Sequence, residues 1–178
     1  MRWEQLFEDL EAQAAEAEHA ALESEVADRT RRELARVRLV DRLRAAVGRH
    51  LVFRVTGFGS VTAVVEAVGP DWVLLTDQPG TRALVPLAAV VTVAQLGAAA
   101  AVPGSEGAVA ARLDLGYVLR GIARDRAVVT VTTNDGVHLT GTVDRVGLDF
   151  FDVTEPGTST GGRVTVTFAG LAILRRTG

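Results

Sequence analysis

From His50 onward the chain is written in short runs of apolar residues broken by turn signals. Residues 61–68 and 137–146 alternate apolar and polar side chains with a period of two, the pattern of a half-buried strand. In the second of these, Leu139, Gly141, Val143 and Arg145 fall on one face and Thr140, Thr142 and Asp144 on the other. Shorter runs at 51–56, 72–76, 83–87 and 90–93, and again at 127–133, 150–154, 163–168 and 171–175, predict eight more strands. Asn134-Asp135-Gly136 is a hairpin turn, and Gly57-Phe58-Gly59 takes its place earlier in the chain. Gly141, inside a strand, marks a sharp bend. The first 47 residues change period: no proline occurs there and no glycine precedes Gly48, while Ala, Glu, Leu and Arg dominate. One apolar stripe runs through Trp3, Phe7, Leu10, Ala14, Ala17 and Ala21, and a second, out of register with it, through Val26, Thr30, Leu34, Val37, Val40, Leu43 and Val47. The spacing predicts a long N-terminal helix interrupted between Leu22 and Asp28, its last part covering 34–47, and a second helix at 109–123.

The strand pattern occurs twice. Val68-Gly69-Pro70-Asp71-Trp72-Val73-Leu74-Leu75-Thr76 matches Val146-Gly147-Leu148-Asp149-Phe150-Phe151-Asp152-Val153-Thr154 without a gap. Leu51, Phe53 and Val55 match Val129, Val131 and Thr133 in the same frame, Leu43-Arg44 matches Leu119-Arg120, and the run from Val85 to Val90 matches that from Val166 to Leu171. Matching pieces in the same order indicate a tandem duplication. The expected organisation is an acidic helix at 1–33, a helix with its barrel at 34–97, an Ala/Pro/Gly/Ser linker at 98–107, and a second helix and barrel at 108–178.

A helix followed by five bent antiparallel strands resembles the Sm, LSm and Hfq superfamily of small β-barrels. The resemblance rests on Leu139-Thr-Gly-Thr-Val-Asp-Arg-Val-Gly-Leu-Asp-Phe-Phe-Asp-Val153 and on Val164-Thr-Val-Thr-Phe-Ala-Gly-Leu-Ala-Ile-Leu174, and it extends over 40–97 and 109–178. It implies an α+β fold: a long N-terminal helix, then two tandem Sm-like (SH3-like) five-stranded antiparallel β-barrels, each preceded by a helix. It also implies ring-like assembly and RNA bound by the loop after the second strand and the turn before the fifth. The family's aspartate stands two residues before the loop aromatic. Here Pro70 and Leu148 occupy that place, and Asp71 and Asp149 follow one residue later. The Lys-His of Hfq-type proteins is replaced by Leu87-Ala88 and Phe168-Ala169.

Composition narrows the chemistry. The 178 residues include no cysteine, so disulfides and thiolate metal sites are excluded and a reducing, cytoplasmic location is expected. Acids interrupt every apolar run at the N-terminus, which argues against a leader, and no stretch has the uninterrupted apolar length of a membrane span. His19, His50 and His138 are too dispersed for a metal site. Gly157-Thr158-Ser159-Thr160-Gly161 spells a nucleophile elbow, but no histidine follows it and it lies between strands. No phosphate-binding glycine loop is present. The reading is a non-enzymatic protein without cofactor.

Charge is segregated although the net value is only −3. Nine acids lie in residues 1–28 and nine arginines in residues 29–54. Two functions are expected. The first is a regulator binding nucleic acid, RNA before DNA, through Arg124, Arg126, Arg145, Arg163, Arg175 and Arg176, with Trp72 and Phe150 as loop aromatics that stack on bases if they are not core. The second is an assembly module that meets a partner, or another copy of itself, through the barrel edges and the apolar knob of Trp3, Leu6, Phe7 and Leu10.

Overall fold

The computed structural model describes residues 16, 25, 29–78, 80–102, 104, 112–156 and 162–177. Trp3, Leu6, Phe7 and Leu10, and the Gly157–Gly161 segment, lie outside the described residues. The chain divides into two units, Met1–Arg38 and Leu39–Gly178. The second contains helix α1 (Leu39–Arg44), strands β1 (His50–Val55), β2 (Gly59–Val68), β3 (Trp72–Gln78), β4 (Thr81–Pro86) and β5 (Val90–Ala94), helix α2 (Leu115–Asp125), and strands β6 (Val128–Thr133), β7 (His138–Val146), β8 (Phe150–Thr154), β9 (Arg163–Thr167) and β10 (Leu171–Thr177). All ten strands lie within two residues of the limits read from alternation.

Their assembly differs from the expectation. The strands form one open antiparallel sheet in the order β5-β1-β2-β3-β4-β10-β6-β7-β8-β9, not two closed barrels. Each repeat has the same internal order, but β4 finds its outer partner in the other repeat: Leu84 faces Leu174, Ala83 faces Arg175 and Arg82 faces Arg176. The cores are shared accordingly. Ala172 and Ile173 of the second repeat pack in the first core with Phe53, Leu51 and Val73. Trp72 and Leu84 of the first repeat pack in the second core with Leu115, Leu119 and Phe151. Burial across the joint takes the place of closure.

Nor does a long helix precede the sheet among the described residues. Residues 29–34 are helical, 35 and 36 turn, and α1 is only six residues long. Arg36 and Val37 donate to carbonyls three residues back, a tightened last turn that ends the helix. Helix propensity loses here to packing: Val40 and Leu43 are buried, and so is Asp41, whose carboxylate receives the Arg44 guanidinium at 3.3 Å.

The duplication is visible in the bends. β2 bulges between Val65 and Ala67, and β7 between Val143 and Arg145. The carboxylate at each bulge, Glu66 or Asp144, accepts the hydroxyl of the threonine at the matching place on the next strand, Thr76 or Thr154. Such bulges bend a strand. At Gly141 a Cβ would lie 2.2 Å from the Thr154 carbonyl oxygen, so the bend there depends on glycine.

Candidate functional site

One set of residues that joins the repeats meets at the corner between β2 and β3. The indole of Trp72 lies over Gly69, where a Cβ would come within 2.2 Å of the ring. It is 8% exposed. Its Nε1–H donates to the Leu113 carbonyl at 2.6 Å. Beside it, the Asp71 carboxylate accepts the Leu115 amide at 2.9 Å. Asp114 caps the same helix by accepting the Tyr117 amide at 2.7 Å. Burial pushes the Asp71 carboxyl above its ordinary value near 3.8, against the Leu115 amide, and the Asp114 charge adds to the rise. The first repeat thus holds the first turn of α2 by two side chains, and Leu115 is buried beneath it.

The corresponding corner between β7 and β8 has the same backbone. Gly147 N–H donates to the Phe150 carbonyl at 2.8 Å, as Gly69 does to Trp72 at 2.9 Å. Phe168 N–H donates to the Asp149 carbonyl at 2.7 Å, as Leu87 does to Asp71 at 2.8 Å. The Phe150 ring covers Gly147 as the indole covers Gly69. Its surroundings differ: Phe150 is 38% exposed and Leu148 94%.

The expected loop aromatics therefore have different fates. Trp72 is a core residue with its one polar atom engaged, and Phe150 stands at the surface. The six arginines do not share one face. Arg175 pairs with Asp77 of β3 at 2.6 Å, with its guanidinium carbon 4.5 Å from the Phe58 ring centroid, which ties the second repeat to the first. Arg176, on the alternate face of β10, pairs with Asp125 at 3.0 Å. Arg145 and Arg163 are exposed on β7 and on the outer strand β9. Arg124 and Arg126 are brought together with Arg120 around a shallow cleft of about 510 Å³, which Asp144 also lines. Arg126 ends α2 in a left-handed conformation at φ 49°.

A second cleft of about 490 Å³ lies along the joint, over Leu74, Leu84, Val118 and Leu174, with Arg82 and Arg176 among its lining. Both guanidiniums are engaged there, Arg82 by Glu66 at 2.8 Å and Arg176 by Asp125.

Sequence reasoning missed the roles of Asp71 and Asp77. Asp71 shares its motif position with Asp149, and nothing in either motif tells which one meets a helix. Among the described residues no group of three or more His, Cys, Asp or Glu is placed to hold a metal ion, and no helix is long and apolar enough to cross a membrane. Comparison of the chain with protein-family models, with curated proteins and with solved structures finds no match.

Proposed function

We propose that this chain is a non-enzymatic assembly module that joins protein chains through the two free ends of its ten-stranded sheet. One observation carries the reading. Side chains buried at the inner joint have uncovered counterparts at the ends. Leu115, Ala172, Trp72 and Ala83 are 3%, 0%, 8% and 0% exposed; at the matching positions Leu39, Val91, Phe150 and Val164 are 40%, 59%, 38% and 37% exposed. Val91 lies on β5 and Val164 on β9, the two outer strands, while Phe150 lies on β8 and Leu39 opens α1, which packs on β2. Apolar surface concentrated at sheet edges favours association. The likeness to the Sm, LSm and Hfq superfamily enters this proposal through the recurring strand order, not through barrel closure.

Size-exclusion chromatography with light scattering, recording absorbance at 260 and 280 nm in low and high salt, tests it. A protein-only spectrum with a mass above the monomer, unchanged by salt, is the expected result. A monomer, or a nucleic-acid-rich peak that disperses in salt, overturns it.

The cleft formed by Arg120, Arg124 and Arg126 favours a second reading, in which the module binds nucleic acid, RNA before DNA. Under that reading the combined change of Arg124, Arg126 and Arg145 to Ala lowers affinity for single-stranded RNA and flattens its salt dependence. Unchanged binding in the triple variant excludes this surface.

A further inference from the structure

Beyond the assembly reading, and independently of it, we propose that the cleft along the joint between the repeats binds a small amphipathic carboxylate, a fatty-acid-like molecule whose apolar body extends the second core and whose anionic head lies at Arg176.

The cleft continues the second core outward. Trp72, Leu84, Leu115, Leu119 and Leu174 are buried in that core, while Leu74, Val118 and Ile122 beside them are partly covered. The latter three line the cleft together with Leu84 and Leu174. Alternation along the strands places them there. On β4, Ala83 and Val85 enter the first core, so Arg82 and Leu84 face the second. On β10, Ile173 enters the first core, so Leu174 and Arg176 face the second. Register then sorts the lining into two rows. Leu74, Leu84 and Leu174 stand opposite one another across β3, β4 and β10. Two residues away on each strand, Thr76, Arg82 and Arg176 do the same. An apolar row therefore runs beside a basic one, which is the layout an amphipathic anion requires.

The facing wall is α2, and here the repeats differ. α2 has 11 residues and α1 has 6. At the positions matching Val118 and Ile122 the first repeat has Arg42 and Ala46. Arg42 donates to the Leu96 and Gly97 carbonyls. The apolar wall is thus a feature of the second repeat's helix, set against strands of both repeats. A volume of about 490 Å³, at a seam between packed units, lies within the range of small-ligand sites.

The charges favour an anion. Arg82 and Arg176 are directly opposite each other, an arrangement that repels unless carboxylates balance it. Glu66 holds Arg82 by two bonds, from Nε at 3.0 Å and from Nη2 at 2.8 Å, and also accepts the Thr76 hydroxyl at 2.9 Å. Arg176 meets Asp125 through Nη1 at 3.0 Å, and both of those side chains are about half exposed. An exposed pair of this kind contributes little and exchanges readily. The ligand carboxylate takes the place of Asp125 on Arg176, Asp125 returns to water, and burial of the ligand's apolar body over the leucine row drives the exchange.

Titration calorimetry of the full chain with octanoate, and with octanol as the neutral molecule of the same body, tests the proposal. Octanoate binds once per chain, and octanol binds more weakly. Arg176→Gln weakens octanoate binding about tenfold, the effect of losing one hydrogen bond to a charged group, and leaves octanol binding unchanged. Asp125→Asn tightens octanoate binding about threefold by removing the competing carboxylate, on the scale of an exposed ion pair. Circular dichroism confirms that both variants are folded. The two substitutions break the same ion pair, so a purely structural role for it would move binding in one direction in both. Opposite directions identify the site. No saturable binding of octanoate at one site per chain overturns the proposal. Binding that the two substitutions change in the same direction, or leave unchanged, overturns it as well. Light scattering on the same samples reads the assembly state separately, so the two proposals fail independently.

Discussion

Trp72 and Phe150 occupy the same place in the two repeats, and the structure assigns them unequal energies. Replacing Trp72 by Ala empties a site that is 8% exposed and that packs among Leu84, Leu115 and Leu119. It also removes the 2.6 Å bond to the Leu113 carbonyl. Loss of a buried aromatic side chain costs about 3–5 kcal/mol. With a denaturant slope of about 2 kcal/mol per M, a 4 kcal/mol loss lowers the urea midpoint by about 2 M. Trp72→Phe keeps most of the burial and loses the donor, at about 1 kcal/mol. Phe150→Ala, at a site 38% exposed and outside both cores, costs about 1 kcal/mol. Urea unfolding followed by far-ultraviolet circular dichroism in dilute protein measures all three without relying on the indole as reporter. Equal costs at positions 72 and 150 would refute the account of the inner joint, because the two differ chiefly in what covers them.

Gly141→Ala forces a methyl group to within 2.2 Å of the Thr154 carbonyl and costs about 1–3 kcal/mol, read in the same unfolding experiment. Asp77→Ala leaves Arg175 without its carboxylate on a strand shared by both repeats; the expected loss is about 2 kcal/mol, and a loss under a few tenths would show the pair to be solvent-screened. The Asp71 carboxyl, raised by burial above 3.8, binds its proton more tightly in the fold than in the unfolded chain. Its contribution is fully present below about 3.8 and is lost as pH rises through the raised value. The stability difference between wild type and Asp71→Asn therefore shifts in favour of the wild type as pH falls through that window. A difference that does not vary with pH would contradict the assigned burial.

The period of two, the turn residues and the doubled Gly-x-Asp-aromatic motif determine, from sequence alone, ten strands, their approximate limits and the duplication. These are local properties: alternation follows from which face of a strand is wetted, and Gly136 from a turn that needs positive φ. Helix extent before the sheet is less local. Residues 34–47 have a continuous apolar stripe and good propensity, yet the helix ends near Leu34 and resumes at Leu39, because burying Val40 and Leu43 outweighs continuing it. What only the tertiary structure decided is where each repeat finds its missing neighbour. Nothing in the β4 or β10 sequences states that Leu84 will face Leu174, or that one strand will complete the other repeat's core. The same limit applies to the site. Asp71 and Asp149 occupy matching motif positions, but the carboxylate of one holds a helix amide while the carboxylate of the other has no partner among the described residues. That difference is one of packing: the start of α2 is seated on the first corner, where it meets Trp72 and Asp71.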